Sequence, residues 1–258
     1  MNIVSLVPSL TEMVCDFGLS RSLVGCTQFC THPPGLLSHA QRIGGPKDPC
    51  IETIRRLKPE KILVNLEENK PAHIEELSGI CEVLKTFPVS PQDVPSMIRD
   101  AGLYLNVKTQ GEQMARRLES VLAMCKPEKM KPERKNRSFI YFIWTNPWMV
   151  ASRDTYISRM LEFFGWENVI DDEIRYPEIT IQKMKDLDPD LLIFSTEPWP
   201  FRKRDLKRLR QGWSNAPESV LADGRLFSWY GSVTERACLE LNKWFNGHPG
   251  TIIRPFSE

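Results

Sequence analysis

Thiol and imidazole side chains that could bind a metal ion are concentrated around residue 30. Cys26, Cys30 and His32 have the spacing Cys-x3-Cys-x-His, and Cys50 could supply a fourth ligand. A structural zinc site usually has two closely spaced pairs of ligands, whereas this segment has one. We therefore expect free thiols and no metal site, although His32 lies in a loop after a predicted strand and could bind the metal of a ligand.

The side chains needed for covalent catalysis are scarce. The sequence has no Gly-x-Ser-x-Gly motif, and Gly44-Gly45-Pro46-Lys47 lacks both the spacing and the following Ser or Thr of a phosphate-binding loop. The carboxylates that could serve an enzyme as a general base are Glu67, Glu68 and Glu197. We therefore expect a binding protein that requires no cofactor, and not an enzyme.

Aromatic side chains give a stronger functional signal. Those in predicted loops or at predicted strand ends, many of them beside proline or glycine, are Phe29, Trp144, Trp148, Tyr176, Trp199, Phe201, Trp229 and Tyr230. Aromatic residues that serve only a core belong on helix faces or within strands, whereas rigid rings on loops can form a flat platform. We predict that the set forms a wall for a large planar ligand. For any single residue, packing between a loop and its lobe is the alternative.

The elements that must position these rings alternate between strands and helices. Predicted strands lie at 2–6, 23–26, 61–65, 81–86, 139–143 and 191–194, and predicted helices begin near 9, 51, 73, 154 and 181. From about 94 to 124 the pattern is helical and charged. Strands separated by short helices predict parallel βαβ units.

Two segments repeat the same frame, LKPEKILVN at 57–65 and LDPDLLIFS at 187–195. Because proline fixes where the helix ends and the strand begins, this echo indicates a repeated supersecondary unit. We predict an α/β fold of two similar lobes with parallel sheets, at 1–107 and 128–258, joined by one long helix at 108–127. Such folds bind ligands near the carboxyl ends of their strands, here in a cleft between the lobes.

The balance of charge excludes several partners. Lys and Arg total 34 and Asp and Glu total 33, so no global field attracts nucleic acid or an anionic membrane. The basic residues between 202 and 210 have helical spacing and are expected to form a solvated helix face. No run approaches the roughly 18 apolar residues of a membrane span. We expect a monomer whose partner is a small molecule.

Seven motifs, in order along nearly the whole chain, carry a resemblance to one family. They are SLVPSLTE (5–12), VGCTQFCTHPP (24–34), GGPKDP (44–49), LKPEKILVNLEEN (57–69), DTYISRMLEFFGWENV (154–169), RYPEIT (175–180) and LFSWYGS (226–232). The chain resembles the helical-backbone, or class III, substrate-binding proteins of ABC importers, and within them the cobalamin-binding branch. The resemblance implies the class III periplasmic-binding-protein fold, or helical backbone metal receptor fold, with limited closure on binding.

The resemblance also implies a ligand. In cobalamin binders, aromatic side chains from both lobes enclose the corrin ring. Phe29 stands at the aromatic position before the PP loop, and Tyr176 at the one before the proline of the RYP motif. The motifs place Trp148, Trp229 and Tyr230 around the same cleft. A corrinoid such as cobalamin is therefore the implied ligand.

Relatives in this superfamily also bind iron chelates, which leaves alternatives open. A ferric siderophore or haem is the first, with His32 or Tyr230 as an axial or polar contact. The second is an enzyme that acts on a tetrapyrrole-like ligand, because a two-lobed fold also occurs in chelatases. A bare metal ion is disfavoured as the ligand, because proteins that bind one use several histidines and this chain has only four in all.

Departures from the family pattern concern docking and location. Importer docking uses one acidic residue per lobe. Glu52 matches the position in the N-terminal lobe, whereas Gln182 stands at the position in the C-terminal lobe. In addition, Pro46 stands where a cobalamin binder can carry tryptophan. The case for docking on an ABC importer permease dimer is therefore weakened. With no signal peptide and seven irregularly spaced cysteines, we expect a cytoplasmic protein. If the sequence is a mature form, a periplasmic or lipid-anchored location is the alternative.

Overall fold

Two units are present in residues 1–125, 137–171, 174–246 and 253–256, which the computed structural model describes. Unit 1 comprises Met1–Pro88, Gln92–Glu119 and Trp229–Thr234, and unit 2 comprises the described residues of Val89–Pro91, Ser120–Ser228 and Glu235–Glu258. Within these ranges, none of the helices combines the length and the apolar character that crossing a membrane would require.

Unit 1 is built on a sheet of five strands. They are β1 (Ile3–Ser5), β2 (Leu23–Cys26), β3 (Gln41–Arg42), β4 (Lys61–Asn65) and β5 (Val83–Thr86). Their order is β3-β2-β1-β4-β5, and every neighbouring pair is parallel. Val4, Ile62 and Val64 are fully buried, as expected where helices cover a parallel sheet. All five carboxyl ends therefore lie along one edge of the sheet.

The helices of the first half begin and end at residues suited to those positions. They are α1 (Pro8–Asp16), α2 (Ile51–Arg56), α3 (Pro71–Ser78), α4 (Val94–Tyr104) and α5 (Lys108–Met124). Proline lies in the first turn of α1, α3 and α4, where the missing N–H group costs no helical hydrogen bond.

Helices α4 and α5 approach each other closely through two glycines. A Cβ atom added at Gly102 would lie 2.8 Å from the Cα atom of Gly111. Arg99 joins the same helices, because its guanidinium lies 2.8 Å from a Glu112 oxygen and 2.7 Å from a Glu119 oxygen. The single long helical pattern expected from about 94 to 124 is thus two helices, separated where Asn106 adopts a left-handed conformation with φ of 58°.

Unit 2 has a mixed sheet whose middle is parallel. Its strands are β6 (Ser138–Trp144), β7 (Met149–Val150), β8 (Glu167–Asn168), β9 (Leu191–Ser195), β10 (Glu218–Ala222) and β11 (Ile253–Pro255). The order is β11-β10-β9-β6-β7, with β8 also paired to β6. Strands β6, β9 and β10 run parallel, whereas β7 and β11 are antiparallel to their neighbours. The rings of Phe142 and Phe194 stack across β6 and β9 with centroids 4.6 Å apart.

The helices of the second half are α6 (Tyr156–Phe163), α7 (Ile181–Leu187), α8 (Lys203–Gly212), α9 (Arg225–Ser228) and α10 (Ser232–Phe245). Threonine side chains accept a hydrogen bond at the N-termini of two of them, Thr155 from the Ser158 amide and Thr180 from the Lys183 amide, each at 3.2 Å. These are ordinary N-caps, and they fix where α6 and α7 begin.

The repeated sequence frame corresponds to a repeated local structure. In unit 1 α2 leads into β4, and in unit 2 α7 leads into β9. The residue before each proline has a left-handed backbone, with φ of 48° at Lys58 and 45° at Asp188. The turn between helix and strand therefore has the same geometry in both units. The predicted α/β fold with two parallel-sheet lobes is confirmed, with the difference that β7 and β11 at the edges of the unit 2 sheet are antiparallel.

The division into units differs from the boundaries expected at 107 and 127. It falls within α5, between Glu119 and Ser120, and assigns Trp229–Thr234 to unit 1. The expected boundaries at 1–107, 108–127 and 128–258 remain a prediction. The part of the predicted connecting helix beyond residue 125 lies outside the described residues.

Candidate functional site

Phe29 lies on the turn that follows β2, at the carboxyl edge of the unit 1 sheet. The guanidinium of Arg42, on β3, fixes this turn by donating to the carbonyl oxygens of Thr27 at 3.0 Å and Cys30 at 2.9 Å. The Phe29 side chain is 56% exposed. A Cβ atom added at Gly45 would lie 3.4 Å from the ring, so the glycine-rich loop packs against it. A large apolar ring on a fixed turn is suited to contact with a planar ligand.

His32 and Trp229 come together in unit 1 although they are far apart in the sequence. Their rings meet edge to face with centroids 6.1 Å apart. Both side chains are half-buried, and His32 Nδ1 lies 3.1 Å from the Thr31 hydroxyl. The Thr31 hydroxyl therefore helps to orient the imidazole through Nδ1.

Tyr230 differs from its neighbour because it is only 6% exposed. Burial raises the pKa of its hydroxyl well above the usual value. The phenol is therefore neutral at physiological pH. Its place in the interior of unit 1 makes it a support for Trp229 more than an exposed part of a wall.

The loop after β4 is held in shape by two asparagines. The side chain of Asn65 accepts from the amides of Glu67 at 2.9 Å and Glu68 at 3.0 Å. Asn69 accepts from the Asn65 amide at 2.9 Å and donates to the Pro46 carbonyl at 2.9 Å. The loop carrying two candidate carboxylates is thus tied to the loop containing Pro46, at the same edge of the sheet.

A serine plays the corresponding part in unit 2. Ser195, at the position equivalent to Asn65 in the repeated frame, accepts from the Glu197 amide at 3.2 Å and from the Tyr141 hydroxyl at 3.2 Å. Asn65 and Ser195 each end a parallel strand and are almost fully buried. The repeated frame therefore positions a loop by the same means in each unit.

Trp148 lies on the turn between β6 and β7, and packs onto the unit 2 core. Its ring meets Phe142 edge to face at 5.6 Å and stacks on Phe201 at 6.4 Å. The guanidinium of Arg208 lies 4.8 Å from its ring centroid. Trp148 is therefore partly a core residue, and only one part of it is open to a ligand.

Trp144 and Trp199 form an edge-to-face pair with centroids 4.9 Å apart. Trp144 ends β6 and is 37% exposed, whereas Trp199 follows β9 and is half-buried. Trp199 also lines a pocket of about 330 Å³ in unit 2, together with Thr145, Asn146, Arg204, Asp205 and Arg208. The two carboxyl-end loops of β6 and β9 thus meet at one concave surface.

The segment with Tyr176 runs beside the turn that carries Trp148. The Val150 amide donates to the Pro177 carbonyl at 3.1 Å, and the Ser152 amide donates to the Arg175 carbonyl at 2.9 Å. Tyr176 is half-buried in this segment. Trp144, Trp148, Tyr176 and Trp199 thus belong to unit 2, and Phe29, His32, Trp229 and Tyr230 belong to unit 1. The ring contacts within these groups are those of Trp144 with Trp199 and of His32 with Trp229.

The thiols near residue 30 belong to a hydrogen-bond network. Cys26 accepts from Arg42 at 2.9 Å, and Cys30 lies 3.1 Å from the Thr11 hydroxyl. Hydrogen bonding to Cys26 lowers the pKa of the Cys30 thiol. Cys50 lies apart at the start of α2, 3.1 Å from the Thr53 hydroxyl. Among the described residues no three His, Cys, Asp or Glu side chains are grouped so as to hold a metal ion.

The two positions compared with importer docking residues are equivalent in the repeated frame. Glu52 is the second residue of α2, Gln182 is the second residue of α7, and both are exposed. The Gln182 amide donates to Asp186 at 2.8 Å. On this face of α7 the carboxylate is therefore that of Asp186, one helical turn after Gln182.

The pocket residues Thr145, Arg204 and Arg208 were missed by sequence reasoning. The basic residues at 202–210 were assigned to a solvated helix face, and their helical spacing is confirmed by α8. The signal that could have found them is that α8 begins directly after a carboxyl-end loop rich in aromatic residues. A helix N-terminus in that place is a recurring position for ligand contacts.

The chain is similar to many known proteins, among them the following three. An ABC transporter substrate-binding lipoprotein of Bacillus subtilis, YvrC, is 24% identical over 82% of this chain and 68% of its own length. The vitamin B12-binding protein of Yersinia pseudotuberculosis is 23% identical over 75% of this chain and 69% of its own. The structure of a periplasmic haem-binding protein from Pseudomonas aeruginosa superposes with a TM-score of 0.83 at 18% identity, covering 100% of this chain and 98% of that one.

These relatives correct the expected location. The expectation of a cytoplasmic protein is wrong, because the family is one of periplasmic binding proteins and a similar chain is a lipoprotein. The reasoning failed because the number and spacing of cysteines do not report a compartment when no pairing is imposed by the fold. All seven cysteines are free in the structure.

The matching family model is that of a periplasmic binding protein, and one relative is a substrate-binding lipoprotein. The expectation of a binding protein is thus confirmed, against the alternative of an enzyme using Glu67, Glu68 or Glu197. The family model described as periplasmic binding protein matches residues 3–217, from β1 through α8. With its two parallel-sheet units and this match over most of its length, the chain belongs to the periplasmic binding protein family.

Proposed function

We propose that this substrate-binding protein of the ABC-importer type binds a corrinoid, and that aromatic side chains stack on the face of the ligand. The observation that carries the proposal is the placement of aromatic rings at the carboxyl ends of parallel strands in each unit. Rings in this position can cover a large planar ligand at a small cost in side-chain entropy.

In unit 1 the proposed contacts are Phe29, Trp229 and His32. Phe29 is the most exposed of the three, on a turn fixed by Arg42. Trp229 and His32 support each other edge to face at 6.1 Å. These rings need little rearrangement to meet a ligand, because backbone and ring contacts already hold them.

In unit 2 the proposed contacts are Trp144, Trp148, Tyr176 and Trp199. The pair Trp144 and Trp199 presents one exposed and one half-buried indole. Trp148 is braced by Phe142 and Phe201. A planar ligand on this surface would rest on rings whose own rotamers are fixed by the core.

Haem is the second candidate, and His32 favours it. Its Nδ1 is engaged with Thr31, and its ring packs edge to face on half-buried Trp229. Histidine is a common axial ligand of haem iron. The similarity to a haem-binding protein at a TM-score of 0.83 is consistent with this candidate.

We further infer that Glu52 contacts an importer permease. It is exposed in the first turn of a short helix whose counterpart in unit 2 carries Gln182. Asp186, one turn after Gln182, offers a carboxylate on the same face of α7. Docking through Glu52 and Asp186 would restore one acidic contact per unit.

The ligand is tested by titrating the purified protein with cyanocobalamin by calorimetry and with haem by absorbance. We expect saturable binding of cyanocobalamin at one site. A Soret band with haem that is lost in His32→Ala, without cyanocobalamin binding, would favour haem instead. Absence of binding to both ligands at hundreds of micromolar would contradict the proposal. His39→Ala is the matched control, because His39 is an exposed histidine of unit 1 whose Nε2–H group donates to the Ser20 carbonyl.

A further inference from the structure

The pocket of unit 2 has a composition that differs from an aromatic stacking surface. Its walls are the turn after β6, with Thr145 and Asn146, the indole of Trp199, and the first turns of α8, with Arg204, Asp205 and Arg208. The volume of about 330 Å³ is sufficient for one small polar group with its hydration. Five of the six lining residues have a polar or charged side chain.

Two buried hydrogen-bonding groups in this pocket have no partner among the described residues. The hydroxyl of Thr145 is one, in a residue that is 3% exposed, and the indole N–H of Trp199 is the other. A buried donor left unsatisfied costs about 1–3 kcal/mol. Such groups persist where something outside the chain satisfies them, and both belong to residues that line the pocket.

The charge of the pocket favours an anion. Arg204 and Arg208 are exposed, one helical turn apart on α8, and no ion pair joins either of them to a carboxylate within the described part of the chain. Asp205 opposes them, but its Oδ2 atom accepts from the Arg202 amide at 2.9 Å and so caps the helix. Two guanidinium groups against one carboxylate leave a positive excess at a helix N-terminus, where anions are stabilised.

We propose that this pocket binds an oxyanion, a carboxylate or phosphate, carried by the metal-chelate ligand. Arg204 and Arg208 supply the positive charge, and the Thr145 hydroxyl and Trp199 indole N–H donate the neutral hydrogen bonds. The same indole packs edge to face on Trp144. Trp199 therefore links the proposed stacking surface to the proposed oxyanion pocket.

The identity of the ligand that carries the oxyanion rests on the proposed function. The oxyanion pocket adds a second basis on which the protein can select its ligand. Haem carries two propionate carboxylates, and cobalamin carries a phosphodiester that cobinamide lacks. Hydrogen bonds to a charged group contribute about 1.5–3 kcal/mol, so loss of the oxyanion should weaken binding by about tenfold or more. The protein is thus expected to distinguish ligands by a pendant group as well as by the ring.

The test compares ligand pairs that differ in the oxyanion. Wild-type protein is titrated with cyanocobalamin and dicyanocobinamide, and with haem and haem dimethyl ester. We expect the member with the free oxyanion to bind about tenfold more tightly in whichever pair binds. In R204Q/R208Q and in Thr145→Val this preference should shrink towards unity. In K203Q/K207Q, which removes the same charge from α8 outside the pocket, the preference should persist.

Each other outcome has a distinct meaning. Equal binding of both members by the wild type would overturn the oxyanion inference and leave the proposed function intact. An unchanged preference in R204Q/R208Q would place the oxyanion elsewhere and overturn the assignment to this pocket. If neither pair binds, the proposed function fails, and the pocket is tested with inorganic phosphate alone. Phosphate should then shift the Trp199 indole N–H resonance in wild type but not in R204Q/R208Q, and no shift in wild type would overturn the inference.

Discussion

At the scale of single residues, aromatic side chains with the same sequence signal have different structural roles. Phe29 is 56% exposed on its turn, whereas Tyr230 is 6% exposed. Trp148 packs against Phe142 and Phe201 and lies beneath the Arg208 guanidinium. Mutations at these positions should therefore differ in how much they reduce ligand affinity and in how much they reduce the stability of the fold.

Substitution of Trp148 by alanine should destabilise the fold, because it removes a half-buried indole from the unit 2 core. We expect the free energy of unfolding to fall by about 1–3 kcal/mol, less than for a fully buried aromatic residue. Phe29→Ala is the matched comparison and should change it by no more than about 0.5 kcal/mol, as for other surface sites. Urea unfolding measures both, and an equal loss in the two variants would contradict these assignments.

At the scale of elements, Tyr104 shows how a helix is fixed to the sheet. It ends α4, and its hydroxyl accepts from the Ile62 amide at 3.0 Å and donates to the Glu82 carbonyl at 2.5 Å. Lys61 lies 4.2 Å from the ring centroid. One side chain thus connects α4 to β4 and to the residue before β5.

This contact makes a prediction about pH. Burial raises the pKa of Tyr104 from 10 to about 12. Because the folded pKa lies above the unfolded one, the contribution to stability is fully present below pH 10 and is lost as the pH rises towards 12. At pH 7 the free energy of unfolding of Tyr104→Phe should be about 1 kcal/mol lower than that of wild type. Between pH 10 and pH 12 the free energy of unfolding of Tyr104→Phe should decrease less than that of wild type. Thermal unfolding at both values checks this, and parallel profiles for the two proteins would contradict it.

The elements also show how far sequence reasoning reaches. Strands β2 and β4 and helix α7 have the predicted bounds, because prolines, glycines and short apolar runs fix them locally. Strands β10 and β11 were not expected, since their pairing with β9 and with each other depends on residues distant in sequence. The unit 2 pocket was missed for the same reason, because Thr145, Trp199 and Arg204 meet only in the folded chain. The positions of aromatic loops were predictable, but the burial of Tyr230 was not.

At the scale of the whole molecule, two units built on one repeated frame each present their own aromatic residues. Asn65 in unit 1 and Ser195 in unit 2 fix equivalent loops, and family membership agrees with this plan. The formal net charge of +1 gives little long-range attraction for an anionic ligand, so local groups such as Arg204 and Arg208 must supply it. The proposed recognition of the ligand therefore depends on local groups, both aromatic and charged.

The most direct test of the account measures cyanocobalamin affinity in Phe29→Ala and Tyr176→Ala, one from each unit. Each variant should lose about 1–3 kcal/mol of binding free energy, which is the scale of one stacking aromatic residue. Leu103→Ala, which removes a side chain that is 54% exposed on α4, should bind as wild type does. Unchanged affinity in both aromatic variants, with intact folding, would contradict the proposal that these aromatic residues stack on the ligand.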